Sequence, residues 1–318
     1  MKGYKAFKKG LVCKGKQYAE NTVFEEPEAA VCCKGMHYCH EPLAVLDYYD
    51  LVDENGEIPE FAEVEPLDKE HTDDSAKFCT RKLKIKSKIS LAGLIKAQIE
   101  YVKEIADGKQ GDEATLAGGN WATLAGGDEA RLAGGYRARL AGGNRARLAG
   151  GNRARLAGGD WATLAGGNEA RLAGGYRARL AGGYRARLAG GDGARLAGGD
   201  WATLAGGNEA TLAGGNWARL AGGDEARLAG GDWATLAGGY RATLAGGYEA
   251  RLAGGCDSVI VGDHGSIAKG KKGALIVLVA RDETGSISSF CAKVVDGVTI
   301  KEDVFYKLED GEFKEAAK

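Results

Sequence analysis

The stretch GYRARLAGGNRARLAGGNRARLAGG (135–159) carries two arginines in every eight residues, separated by one alanine, three times over. A guanidinium presents a rigid fork of donors that matches phosphate and carboxylate, so repeated arginines at fixed spacing are candidate anion ligands. The same region, 111–254, holds all five tryptophans: Trp121, Trp161, Trp201, Trp217 and Trp233. Regularly spaced indoles are candidate stacking surfaces for bases or sugar rings. A second cluster lies at CCKGMHYCH, which offers Cys32, Cys33, His37, Cys39 and His40, with Cys13 and Cys79 elsewhere. Zinc needs about four soft ligands converging tetrahedrally, and this spacing is not that of a finger or ribbon. Buried free thiols are the expectation, and no metal is assigned. A Cys33 or Cys39 nucleophile paired with His37 has no accompanying signature. No phosphate loop, paired catalytic carboxylates or dinucleotide fingerprint occurs, so neither a cofactor nor an enzymatic activity is expected.

Position within a repeat decides what these side chains can do. Residues 111–254 are 18 uninterrupted octads of the form G-[DNY]-[EWRG]-A-[TR]-L-A-G. Ala at position 4 and Leu at position 6 share one side of an extended strand, while positions 3 and 5 share the other. The pattern predicts a five-residue strand, x-A-x-L-A, followed by a G-G-[DNY] turn. Two glycines per octad argue against a helix. One octad cannot bury its own leucine but stacked octads can, so the expected fold is mainly β, a β-solenoid. The register continues through degenerate octads at 255–273 and beyond, with Ser258/Ile260, Ser266/Ala268 and Ala274/Ile276 at the inward positions. Upstream, KSKISLAG (86–93) is also in step and predicts a first strand. Leu94, Ile95, Ile99, Val102 and Ile105 then recur at helical spacing up to Gly108, so 86–110 reads as that strand plus a helix capping the open first coil. Residues 274–318 alternate and contain turn signals, predicting a small antiparallel β cap. Residues 1–85 read as an α+β domain, with HEPLAVLDYY (40–49) a helix burying Leu43, Val45 and Leu46.

Charge and composition bound the partners. Net charge is −1; the octads carry 17 Arg against 13 Asp and Glu, or +4, leaving −5 on the flanks. Interspersed carboxylates weaken the case for nucleic acid, and the +4/−5 split favours self-association. The basic, glycine-broken start is not a signal peptide, and no run of 18 apolar residues exists, so a cytoplasmic location without membrane insertion is expected. Seven cysteines without a secretory signal read as reduced thiols.

Two resemblances add to this. MKGYKAFKKGLVCKGKQY, CCKGMHYCHEPLAVLDYY and VVDGVTIKEDVFYKLEDGEF resemble the ends of an uncharacterised family of bacterial and phage proteins that enclose short β-repeats. That resemblance implies a prophage context and no established activity. The octad GGNWATLA resembles half of the 16-residue coil of bacterial ice-nucleation proteins, which implies two octads per coil and two flat faces. The outward Thr-x-Thr row of that family is missing: position 3 is never Thr, and position 5 is Arg in 11 of 18 octads. With two octads per coil, the even-numbered octads align Arg139, Arg155, Arg171 and Arg187 at position 5. Beside them at position 3 run Arg137, Arg153, Glu169 and Arg185, followed by Trp201, Trp217 and Trp233. Three octads per coil would scramble these columns. The expected function is a non-enzymatic structural or interaction scaffold, self-associating or bound to another protein. Polyanion or glycan binding through the Arg/Trp columns is the alternative, and ice binding or nucleation the second.

Overall fold

The computed structural model describes residues 2–31, 33–49, 51–52, 58–72, 77–105 and 111–316. A β-solenoid of about ten turns spans residues 115–278. Strands pair in parallel with the strand sixteen residues on: Leu148 lies beside Leu164, and Leu156 beside Leu172. A coil is therefore two octads. Odd octads build one flat sheet and even octads the other, each twelve strands long once the C-terminal hairpins are included. Ala at position 4 and Leu at position 6 from both sheets meet in one continuous core, as in Ala154, Leu156, Ala162 and Leu164. The degenerate octads hold register, and Ser258, Ile260, Ser266, Ala268, Ala274 and Ile276 are all buried.

Within each octad the strand is shorter than the alternation predicts. It covers positions 5–7, as in Arg147–Ala149, and only some copies reach position 8. Position 3 is instead a left-handed corner: Trp201, Glu209 and Arg145 have φ of 61°, 56° and 55°. Non-glycine residues tolerate that region at a cost of about 1–2 kcal/mol, and Gly193 (φ 65°) is the one octad that avoids it. The corner arises because two flat sheets joined by links of four or five residues must reverse direction sharply at every octad.

Position 2 completes the backbone accounting. Where the residue sixteen positions earlier is Asp or Asn, the position-2 amide donates to its Oδ1. Tyr176 N–H donates to Asp160 (2.8 Å), Asn208 N–H to Asp192 (2.8 Å), and Asp224 N–H to Asn208 (2.9 Å). The position-1 glycine sits against this ladder, so that a Cβ on Gly175 would fall onto Asp160 Oδ1.

The N-terminal region is an antiparallel sheet in the order Gly3–Phe7, Glu60–Pro66, Lys82–Ile89, Thr22–Glu25, beside a smaller sheet of Met36–Tyr38, Phe78–Thr80 and His71–Thr72. Lys82–Ile89 thus pairs inside this sheet and not as a first solenoid strand. Pro42–Asp47, expected as part of an α-helix, forms a short 3₁₀-helix that starts at its proline. The α-helix is Leu91–Ile105, opened by Ser90, whose Oγ accepts from Gly93 N–H (3.1 Å). Gly108, its expected stop, lies outside the described residues. Leu94, Ile95 and Val102 are buried, Ile99 is half-buried and Ile105 exposed.

This helix lies along the flank of the solenoid, across the even-octad strands from Thr123–Ala125 to Arg171–Gly174, and does not close the first coil as a lid. Its buried side and the 3₁₀-helix share one cluster with the outward alanines: Leu43, Leu46, Leu94 and Ile95 pack with Ala173, Ala189, Ala205 and Ala221. The position-7 alanines of the even face are consequently buried from Ala125 to Ala221, while Ala149, Ala165 and Ala181 on the odd face are exposed. At the far end two antiparallel hairpins continue the two sheets: Leu275–Arg281 with Ile287–Val294, and Tyr306–Glu309 with Glu312–Glu315. Val295, Ile300 and Tyr306 are buried over the last coil.

Candidate functional site

The sixteen-residue rung brings all ten predicted face residues together. Arg137, Arg139, Arg153, Arg155, Arg171, Arg185 and Arg187 share one groove with Trp201, Trp217 and Trp233, of about 820 Å³. Position 5 supplies one column of this groove and position 3, from the left-handed corners, the other.

The position-3 column is largely satisfied from within. Arg153 grips Glu169 through two hydrogen bonds (2.8 and 3.3 Å) and donates to the Tyr136 hydroxyl. That pairing holds the Glu169 carboxyl below its usual range and raises Arg153 above its own. Arg137 lies 4.6 Å over the Trp121 ring and Arg185 5.9 Å over Trp201. Trp201, Trp217 and Trp233 stack on one another at 5.1 and 5.0 Å, within 10° of parallel. Indoles in that arrangement cover each other's faces, and an inserted base needs about twice the 3.4 Å stacking rise. The expected stacking platform is therefore closed, and only the ring edges, 37–47% exposed, remain to solvent.

The start of the arginine column serves the protein itself. Glu41, with only 10% of its side chain exposed, sits 3.2 Å from Arg155 and 3.6 Å from Arg139. Its other oxygen accepts from Gln98 on the helix (3.2 Å), while Gln98 accepts from the Leu43 amide (2.9 Å). Two of the predicted anion ligands thus dock the N-terminal domain onto the solenoid. On neither face are two position-5 threonines neighbours, so no continuous threonine row forms.

The Cys/His cluster is dispersed. Cys32 lies outside the described residues. Cys33 is exposed and Cys39 buried, its backbone bridged to Tyr4. His40 spends both ring nitrogens, on Lys2 O (2.8 Å) and Glu70 (3.1 Å). Burial, reinforced by Lys5, Lys14 and Lys77, pushes His37 down to about 4. No three His, Cys, Asp or Glu among the described residues stand close enough to hold a metal ion.

One feature of the surface went unread in the sequence. At the C-terminal end of the odd face the outward residues change from Arg/Thr and Ala to Val259 and Val261, then Leu275, Val277 and Val279. The hairpin strand Ile287–Val294 adds Phe290 and Val294, which pair with Val279 and Leu275. Phe290 is 67% and Val294 53% exposed, and the strand forms the open edge of its sheet. The signal was present in VIVG and LIVLVA, whose outward letters are as apolar as the inward ones.

Residues 1–97 match the family model of a domain of unknown function, DUF7666. No curated protein and no solved structure matches the chain. The DUF7666 match ends inside the helix Leu91–Ile105 and takes in Glu41 but none of the octads. The docking carboxylate therefore lies within the residues that match that family model, and its arginine partners lie in the solenoid.

Proposed function

We propose that the protein is a non-enzymatic scaffold: a rigid solenoid whose even face carries the DUF7666 domain and whose odd face joins a second copy. The observation that supports it is the apolar patch of Val259, Val261, Phe290 and Val294 on an unpaired sheet edge. Open apolar edges are normally blunted by charge, proline or a cover, because they invite pairing with another chain. Here the residues outside the patch on the same face, such as Arg147, Arg179 and Arg195, carry that charge; in the edge strand the one charged residue is Lys293, which pairs with inward-facing Ile276 and not with the patch. Two copies meeting patch to patch about a twofold axis form a closed dimer. Sedimentation of Phe290→Lys tests it: the intact chain is expected as a dimer at micromolar concentration and the variant as a monomer. A variant as dimeric as the intact chain contradicts the placement of the contact.

The even-face groove favours a second reading, an extended anionic polymer bound along the arginines. With Arg139 and Arg155 committed to Glu41, that reading rests on Arg185 and Arg187. It predicts a salt-sensitive interaction with a polyanion such as heparin that Arg185→Glu with Arg187→Glu abolishes. Retention by the double variant equal to that of the intact chain ends it.

A further inference from the structure

The DUF7666 domain contains a cavity of about 900 Å³, separate from the solenoid groove. That volume falls within the range of small-molecule sites. Six lysines and two glutamates line it. Lys16 is paired with Glu26 and Lys34 with Glu28 (2.6 Å), which leaves Lys5, Lys8 and Lys14 as the cations of the lining that no carboxylate meets among the described residues. Tyr18, Tyr48 and Tyr49 also line it, Tyr48 with Lys77 4.6 Å over its ring.

Lys5 is the telling residue. Its side chain is 4% exposed, yet no ion pair joins it to a carboxylate among the described residues. Nζ donates to His37 O (2.8 Å) and lies 5.4 and 5.9 Å from the rings of Phe7 and Tyr18. Burial pushes its pKa down and Lys14 adds to the effect, while a hydrogen bond with the Cys13 thiol opposes it. An amine buried without a carboxylate costs stability that a methionine of similar shape would not. Buried, perturbed groups of this kind cluster at functional sites.

We infer that this cavity binds a small anion carrying a planar ring, of the nucleotide class, with the anionic group meeting Lys5, Lys8 and Lys14 and the ring lying against the tyrosines. Buried Lys5 stands at the floor, while Lys8 and Lys14 are exposed at the rim. The inference is independent of how the solenoid associates.

Calorimetric titration of the intact chain with ADP, adenosine and pyrophosphate tests it. ADP is expected to bind more tightly than either fragment, and Lys5→Met and Lys14→Glu each to weaken it at least tenfold. Lys5→Met should also leave the ligand-free melting temperature unchanged or raised, which a purely structural lysine would not. If Lys5→Met fails to fold, Lys14→Glu, on an exposed turn, decides alone. No heat with ADP up to millimolar concentration overturns the inference. So does pyrophosphate or adenosine binding as tightly as ADP, or an affinity unmoved by the variants.

Discussion

Position 2 of the octad shows how much one oxygen can carry. Asp160 Oδ1 is the acceptor for an amide that no carbonyl of the neighbouring rung reaches, and such a bond contributes a net of about 1 kcal/mol. Asp160→Ala is therefore expected to destabilise the solenoid by about 1 kcal/mol and Asp160→Asn to be close to neutral, read from urea unfolding. Tyr176 and Tyr184 occupy the same position without an Oδ1, and no side-chain bond of this kind reaches the amides of Asp192 and Asp200. Two titrating groups each cost stability as pH falls, in adjoining acidic windows. Asp296 is held down to about 2 by amides of Ile300, Val298 and Thr299. Its folded pKa lies below the unfolded value near 3.8, so its stabilisation is complete above that value and is lost as pH falls toward 2. His37, held near 4 against an unfolded value of 6.5, binds its proton less readily when folded. Stability of the DUF7666 domain therefore declines as pH falls from 6.5 to 4, and His37→Gln should flatten melting temperature across that window. The inward alanines and leucines were legible because their period is local and repeated eighteen times. The Asx ladder was not, since donor and acceptor stand sixteen residues apart and Asp, Asn and Tyr alternate there without changing the pattern.

At the scale of elements, the sequence located the helix and the solenoid but not their packing. Helical spacing identifies which side of 91–105 is apolar; it carries no information about which surface that side meets. The structure lays it on the even face because the position-7 alanines are small enough for close approach and Glu41 reaches the arginine column. That ion pair joins residues 114 apart, a separation at which no sequence pattern operates. Glu41→Gln removes the carboxylate that Arg139 and Arg155 share. The domain is expected to loosen from the solenoid by on the order of 2 kcal/mol, seen as faster amide exchange in strands Arg155–Gly158 to Thr203–Ala205 with the odd-face strands unchanged. Equal protection in both proteins would mean that the alanine–leucine contact holds the domain by itself.

Across the whole molecule, the two faces have divided roles. The even face is occupied by the N-terminal domain and by position-3 side chains that pair with one another; the odd face is open, charged along most of its length and apolar only at its C-terminal end. Removing sixteen residues from the middle octads should shorten the solenoid by one rung, about 4.8 Å, and keep the Trp201–Trp233 stack on the even face. Removing eight should move everything downstream, patch included, to the opposite face. The most direct test of association through the patch is sedimentation velocity of the intact chain across a salt series. Burial of Val261, Phe290 and Val294 predicts a dimer that persists undiminished at 1 M salt, because apolar contacts are not screened. A monomer at every concentration, or a dimer that dissociates as salt rises, would contradict it and return the contact to the charged columns.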